Sequence, residues 1–326
     1  MIRVRTLGQC SIQLNNCQVA PDAEMVFASL LLLALEPGRR VERSEWLGML
    51  WPDTATARAS HCLRQTIYRL RTLGAPLDVD RTHIVLSPNV VDSDVQTLLT
   101  AHRPECVERL ADSVCGPFLP GYAPAFSEPF RDWVERQRDV VSAAARRVLV
   151  GAIAARKARG EWADVERLGH RCLAIDPLNE EATLALAEAA AMHGGKAEAM
   201  AILDRYLREM GPGARELRVP AVALRRRIAE PELEFPLVPP VDVPFVGRSA
   251  EMATLTAALH SARTGTGSVH FIHGEPGIGK TRLLTEFSRA CALQGVRVAA
   301  ARCQSSDSRR PLSAFIDLVP RLMTLP

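Results

Sequence analysis

The chain has 326 residues and a formal net charge of +3, and 47% of its residues are hydrophobic. A chain of this size can bury more than one core, so we expect two or three domains. No apolar run approaches the roughly 20 residues of a membrane helix, and the N-terminus lacks the apolar stretch of a secretory signal. The eight cysteines are scattered without a Cys-x-x-Cys pair, which argues against a zinc site or a disulfide framework. These features favour a cytoplasmic protein.

Residues 1–97 are predicted to form a winged-helix DNA-binding domain. Alternating apolar positions at the N-terminus indicate strands, with a turn at Asn15-Asn16. The predicted elements that follow are helices over residues 23–35, 44–50 and 55–73, then short strands over 77–91. Strands, three helices and a terminal hairpin are the order of a winged helix, which is a variant of the helix-turn-helix.

The third predicted helix has an arginine-rich face. Between Thr54 and Leu77 there are four arginines and no acidic residue. The inward face is predicted from helical spacing as Ala59, Leu63, Ile67, Leu70 and Gly74. Such a face is often only solvated, but the winged-helix order favours contact with phosphates and base edges. With two residues of the hairpin turn, the candidate DNA-binding residues are Arg58, His61, Arg64, Gln65, Tyr68, Arg69, Arg71, Arg81 and Thr82.

A helical segment over residues 98–229 contains an internal repeat. Gly160-Glu161-Trp162-Ala163-Asp164 recurs 34 residues later as Gly194-Gly195-Lys196-Ala197-Glu198. This period is typical of tetratricopeptide repeats, whose helix pairs stack because one pair cannot bury its apolar face. An ordinary helical bundle with a coincidental period is the alternative. Residues 230–244 contain five prolines and are predicted to be a stiff linker.

The segment 245–326 contains a phosphate-loop pattern, G-x-x-x-x-G-K-[ST]. Strands predicted over 268–273 and 296–301, with a helix over 283–293, supply the βαβ context of this motif. Backbone N–H groups, Lys280 and the Thr281 hydroxyl are expected to hold phosphates and Mg²⁺. The candidate nucleotide-binding residues are Gly274, Gly277, Ile278, Gly279, Lys280 and Thr281, and the expected ligand is ATP or ADP with Mg²⁺. A glycine-rich turn with a chance lysine is the alternative.

Three sets of residues resemble known families. Leu50-Trp51-Pro52-Asp53, Ala57-Arg58, Leu63 and Arg69-Leu70-Arg71 resemble the winged helix of SARP-class antibiotic regulators, relatives of the OmpR type. Phe118-Leu119-Pro120-Gly121-Tyr122 and Phe130-Arg131-Asp132-Trp133-Val134-Glu135 resemble the opening of the bacterial transcriptional activator domain. Pro244-Phe245-Val246-Gly247-Arg248, with Glu251 and the glycine loop, resembles the start of a STAND-type ATPase.

The resemblance implies a transcriptional activator that binds direct repeats near promoters, commonly of secondary-metabolite gene clusters, as a dimer on double-stranded DNA. It implies that the ATPase module acts as a switch and that the transcription machinery is a partner. Carried over by position, Arg64, Gln65, Tyr68, Arg69 and Arg71 fall on the recognition helix. Val246, Gly247 and Arg248 fall near the adenine pocket.

The chain departs from the pattern of STAND-type ATPases in residues that such enzymes need for catalysis. After the second predicted strand there is no apolar run ending in paired acids, and Asp317 falls in a predicted helix over 312–322. Carboxylates that organise Mg²⁺ and water are needed for phosphoryl transfer. Efficient ATP hydrolysis is therefore not expected, no catalytic residue is assigned, and the ending at residue 326 suggests a shortened gene product.

The expected fold is multidomain and mainly α: a winged helix-turn-helix, a tetratricopeptide-like helical array and a partial P-loop α/β domain. The expected function is DNA-binding transcriptional regulation with nucleotide binding as control. The alternative is an ATP-dependent signalling switch that acts through protein partners rather than DNA.

Overall fold

The computed structural model describes residues 1–15, 17–100, 104–211, 218–229 and 245–301, with 312, 315, 316, 318 and 319. The architecture is multidomain and mainly α, as predicted. Met1–Ala152 with Ala174–Pro177 form one compact unit, and Ile153–Leu173 with Leu178–Pro326 form another. The domain boundaries proposed from the sequence stay predictions, and the proline-rich linker over 230–244 lies outside the described residues.

The first unit begins with a four-stranded sheet of order β3-β2-β1-β7. Its strands are β1 (Ile2–Arg5), β2 (Ser11–Leu14), β3 (Cys17–Val19) and β7 (Val91–Ser93). β1 is antiparallel to β2, so that Ile2 faces Leu14 and Val4 faces Ile12. All four side chains are fully buried, because alternate residues of a strand point to the same face. The turn at Asn15 is present with φ +48°, and Asn16 lies outside the described residues.

Three helices pack beside this sheet at nearly the predicted positions. They are α1 (Glu24–Leu35), α2 (Arg43–Leu50) and α3 (Thr56–Thr72). The second sheet, of order β4-β6-β5, contains β4 (Val41–Glu42), β5 (Leu77–Val79) and β6 (His83–Leu86). Antiparallel pairing of β5 with β6 forms the predicted terminal hairpin. These elements make the winged helix-turn-helix expected from the sequence.

The prediction that Gly74 lies on the inward face of the third helix is wrong. α3 ends at Thr72, and Gly74 is exposed with φ +88°. The amide of Gly74 donates to Arg71 O, and the amide of Ala75 donates to Leu70 O. This is the Schellman pattern of helix termination, in which glycine adopts the left-handed conformation. The helix therefore ends two residues before Gly74, the last position that the apolar pattern assigns to its inward face.

Three helices complete the first unit and extend from it. They are α4 (Asp94–Leu99), α5 (Pro104–Ser113) and the long α6 (Glu128–Ala158). The loop before α6 packs on the winged helix, since Leu119 N donates to Thr6 O at 2.8 Å and the Tyr122 ring lies 5.1 Å from that of Phe27. Arg138 of α6 holds the loop by donating to Leu119 O and Tyr122 O.

The second unit contains a helical array. Its helices are α7 (Trp162–Ile175), α8 (Glu180–Met192), α9 (Lys196–Glu209) and α10 (Val219–Ala229). α7 and α9 begin 34 residues apart, and each follows a left-handed glycine, Gly160 and Gly194. A Cβ atom on Gly169 of α7 would lie 2.7 Å from Leu186 of α8. The small residue therefore allows the close helix crossing that the repeat predicts.

The nucleotide-motif segment contains α11 (Ser249–Arg263) and α12 (Lys280–Leu293). The helix predicted over 283–293 is confirmed, but the strands predicted over 268–273 and 296–301 are wrong, because neither segment forms a strand. A strand requires a hydrogen-bonded neighbour, and the described residues provide none here. Val269 and Phe271 are 80% and 88% exposed as a result.

Most of the helix predicted over 312–322, including Asp317, lies outside the described residues. Throughout the described part of the chain, no helix is long and apolar enough to cross a membrane.

Candidate nucleic-acid interface and glycine loop

The outward face of α3 presents every candidate residue that the sequence places on it. His61 and Gln65 are exposed, and Tyr68 is 72% exposed. The four arginines of the helix are also exposed: Arg58, Arg64, Arg69 and Arg71. The opposite face is buried through Ala59, Leu63, Ile67 and Leu70. The burial of this stripe leaves the polar face of the helix open to a partner.

The charge of this face is uncompensated. None of the four α3 arginines forms an ion pair with another described residue, whereas several other arginines of the unit, such as Arg5 and Arg39, are paired. Arg5, for example, lies 2.5 Å from Asp92. Within the face, the Gln65 amide nitrogen lies 3.0 Å from His61 Nε2, so these two side chains, one helical turn apart, contact each other. Unpaired guanidinium groups beside short polar groups can contact phosphates and base edges together.

The hairpin turn that contains Arg81 and Thr82 is built around Asp80. Asp80 Oδ1 accepts hydrogen bonds from the backbone amides of Thr82 and His83, both at 2.6 Å. These bonds hold the pKa of Asp80 at about 2, because they favour the charged carboxylate. Arg43 of α2 donates its amide to Thr82 O at 2.8 Å. The turn thereby presents Arg81 and Thr82, both exposed, in a fixed position beside α2.

We predict that replacing Asp80 with alanine destabilises the protein at pH 7 and that this difference disappears in acid. The carboxyl has a depressed pKa in the folded state. Its contribution is present above the ordinary value near 3.8 and is lost as the pH falls towards 2. Urea unfolding of both proteins between pH 7 and pH 2 measures the effect. Asp78→Ala in the same hairpin is the control, and an equal loss of stability in that variant would contradict the prediction.

The glycine loop has the backbone conformation that its motif predicts. Gly274, Gly277 and Gly279 have φ values of +156°, +83° and +97°, which favour glycine. Gly279 is the N-cap of α12, so the helix begins at Lys280. The amides of the first helical turn have no partner within a helix. Together with the helix dipole they form a favourable place for a phosphate group.

The lysine of the motif folds back on its own loop. Lys280 Nζ donates to Gly274 O at 2.9 Å and to Glu275 O at 2.8 Å. The ammonium is thus already positioned over the loop, where an incoming phosphate would exchange these carbonyls for charged oxygens. Thr281 follows on the first turn of α12 and is exposed. Its hydroxyl is placed on the same turn as the ammonium, as binding of Mg²⁺ through a nucleotide requires.

Arg248 lies against the same loop. It donates to Ile278 O at 2.9 Å and to Glu251 Oε1 at 2.7 Å, and this arginine holds the pKa of Glu251 below its usual value. Gly247 is left-handed with φ +74°, and Val246 is 77% exposed. A cavity of about 290 Å³ lies between these groups, with Arg248 and Lys280 in its lining. The structure therefore brings the segment 246–248 to the glycine loop, 30 residues away in sequence.

The residues at this loop fit Mg²⁺ held by a nucleotide rather than by a protein cage. Mg²⁺ is usually bound through substrate phosphates and one or two protein oxygens. Thr281 offers such an oxygen, and the described residues contain no cluster of three His, Cys, Asp or Glu side chains that could hold a metal. The loop residues would hold the phosphates, and Mg²⁺ would compensate part of their charge.

The far end of α12 is attached to the helical array by two arginines that the sequence reading missed. Arg227 of α10 donates to Leu293 O at 2.5 Å, and Arg289 of α12 donates to Ala191 O at 3.1 Å. Both carbonyls lie in the last turn of a helix, where carbonyls lack helical partners and cations are favourable. No local pattern signals such pairs. The helix that begins at the glycine loop thus ends on the array.

We predict that replacing both arginines, Arg227 and Arg289, with alanine increases amide hydrogen exchange in the second half of α12. The two changes together remove charged hydrogen bonds of about 1.5–3 kcal/mol each, so exchange should rise by roughly a hundredfold or more. Mass spectrometry of peptides covering residues 286–295 measures it. Arg205→Ala, an exposed arginine of α9, is the control. Unchanged exchange in the double variant would show that the two contacts do not hold the helix.

The fold and the loop define the class of the chain: a multidomain, mainly α protein with a winged helix and an ATPase-type nucleotide loop. The AAA ATPase domain family matches residues 244–325, and such domains bind nucleotide, usually with Mg²⁺. The structure described as "Mycobacterium tuberculosis EmbR in complex with low affinity phosphopeptide" has a TM-score of 0.50 and 15% sequence identity, covering 81% of this chain and 70% of that one. At this identity the likeness shows a shared fold. No curated protein matches the chain.

Proposed function

We propose that the chain is a DNA-binding transcriptional regulator of the SARP class, whose nucleotide module controls it. The observation that carries the proposal is the exposed face of α3, where four arginines have no acidic partner among the described residues. Phosphate contacts dominate the affinity of proteins for DNA. A basic helix in a winged helix-turn-helix is the element that enters the major groove.

The three predicted groups of residues have separate tasks in this proposal. The arginines Arg58, Arg64, Arg69 and Arg71 bind phosphates, and His61, Gln65 and Tyr68 read base edges. Arg81 and Thr82 of the hairpin turn contact the backbone or the minor groove beside the recognition helix. We propose activation, direct-repeat promoter sites of a secondary-metabolite cluster and a dimer on DNA, since the SARP resemblance implies them.

The nucleotide module is proposed to bind ATP or ADP with Mg²⁺ through residues 274–281 and the segment 246–248. The AAA ATPase match and the loop geometry support this assignment. The amino-acid sequence of the module contains no apolar run that ends in paired acidic residues, which would position water and metal for phosphoryl transfer. We therefore propose that the nucleotide regulates the protein and is not hydrolysed efficiently by this chain.

The proposal is tested by retention of the purified protein on its own upstream DNA as the salt concentration is raised. If the four α3 arginines each neutralise a phosphate, the logarithm of the binding constant should fall with a slope of roughly −3 to −4 against that of salt. Footprinting with and without ATP then locates the site and shows whether nucleotide alters it. Absence of salt-sensitive retention would instead favour the switch that acts through protein partners.

A further inference from the structure

Four exposed side chains form a line along the outward face of α3. They follow one another three or four residues apart: Arg58, His61, Gln65 and Arg69. Residues at these spacings are neighbours on the surface of a helix. The line therefore has a guanidinium group at each end and a polar pair in its middle.

The separation of the two outer arginines fits the major groove of DNA. Arg58 and Arg69 are eleven residues apart within α3, which places their Cα atoms about 16 Å apart along the helix axis. The major groove is about 12 Å wide. Two long side chains at this separation can contact phosphates on both sides of the groove, and the polar pair then lies over the bases between them.

The contact between the two middle side chains fixes the orientation of an amide group. The Gln65 amide nitrogen lies 3.0 Å from His61 Nε2. An amide nitrogen carries two donor hydrogens and has no acceptor site, so it donates and the imidazole nitrogen accepts. The His61 ring thereby holds the Gln65 amide in one of its two possible orientations.

The rest of the Gln65 amide is open to a partner. Its Oε1 and its second N–H form no hydrogen bond with any residue in the part of the chain that the structure describes. The free edge of the side chain therefore consists of one acceptor beside one donor. Adenine presents the complementary pair in the major groove, with its N6 amino group as the donor and N7 as the acceptor.

We propose that Gln65 reads one adenine in the major groove and that His61 is the residue that positions it. Guanine presents two acceptors in this groove, cytosine presents only its amino donor, and thymine presents an acceptor beside a methyl group. None of these three bases matches both groups of the free edge. The inference rests on the proposed DNA-binding function, and it adds the base that the recognition helix selects.

The test is the selection of duplexes from a random-sequence library by the full chain, followed by mobility-shift measurements with each base at each selected position. We expect one position at which adenine binds roughly tenfold to a hundredfold more tightly than the other bases, as one bidentate contact predicts. Gln65→Glu should change the preference at that position to cytosine, because a carboxylate only accepts hydrogen bonds. Gln65→Met, which keeps the length of the side chain, should remove the preference and leave the salt dependence unchanged.

His61→Ala tests the positioning role. Without the ring the Gln65 amide can turn over and present its donor and its acceptor in either order, so the preference for adenine should weaken while binding through the arginines remains. Gln18→Glu is the matched control, because it places the same negative charge on an exposed residue of β3. This control should keep the preference of the wild type.

The possible outcomes separate this inference from the proposed function. A position that responds to Gln65 but selects guanine or thymine would show that the amide faces the other way and would overturn the proposal. An unchanged preference in the Gln65→Met or the His61→Ala protein would also overturn it. Absence of salt-sensitive binding to any duplex would contradict the proposed function as well, whereas salt-sensitive binding that Gln65 does not influence would contradict this inference alone.

Discussion

Replacing both Arg64 and Arg69 with alanine is expected to abolish specific retention on promoter DNA at moderate salt. The two side chains are exposed on one face of α3 and have no ion-pair partner in the described residues, so neither change should break a contact within the protein. Each lost DNA contact costs about 1–3 kcal/mol, and two together lower the affinity by roughly a hundredfold or more. Electrophoretic mobility shift at several salt concentrations measures the change.

A second double variant distinguishes the loss of a specific DNA-binding surface from the loss of net positive charge. Arg109→Ala/Arg147→Ala removes the same charge from exposed arginines of α5 and α6 in the same compact unit. We expect this control to keep most of the affinity, because phosphate contacts act over short distances in salt. If both double variants bound DNA equally well or equally poorly, α3 would not be the recognition helix. Circular dichroism of each variant confirms that the fold is retained.

Replacing Lys280 with alanine is expected to remove nucleotide binding while DNA affinity stays close to that of the wild type. The ammonium lies over the glycine loop within 2.9 Å of two loop carbonyls, where it would contact the β- and γ-phosphates. Charged hydrogen bonds contribute about 1.5–3 kcal/mol each, so loss of two weakens binding by roughly a hundredfold or more. Calorimetry with Mg²⁺ and ADP, or with Mg²⁺ and ATP, measures it.

The control for the Lys280→Ala protein removes a positive charge that lies away from the loop. Arg263→Ala removes an exposed cation at the end of α11, outside the cavity at the loop, and should bind nucleotide normally. Undiminished binding in the Lys280→Ala protein would contradict the assignment of the loop. Loss of the whole fold in that variant would contradict the separation of the DNA-binding and nucleotide modules.

Several features could be predicted because they depend on residues close in sequence. The inward stripe of α3 follows from helical spacing, and the burial of Leu63 and Leu70 agrees with it. The glycine loop follows from the need for left-handed residues before a helix, and Gly277 and Gly279 adopt that conformation. The 34-residue repeat follows from a recurring glycine and small residues at helix crossings. Each of these patterns is contained in about one turn, one helix or one repeat.

Other features depend on which segments meet, and the local pattern did not determine them. The apolar residues of 268–273 are compatible with a strand, but a strand forms only beside a neighbour, and the described residues place none there. Gly74 fits the spacing of the α3 stripe, yet the helix ends at Thr72, and the Gly74 carbonyl instead accepts a hydrogen bond from Asn15 Nδ2, 59 residues away in sequence.

The amino-acid sequence by itself determined the order of the modules, the inward and outward faces of α3 and the glycine loop, because local spacing and backbone preference decide them. Only the tertiary structure decided that Arg248 contacts the loop and that Arg227 and Arg289 attach α12 to the array. These contacts join residues far apart in sequence. Their energy depends on distances that only the packing of complete elements establishes.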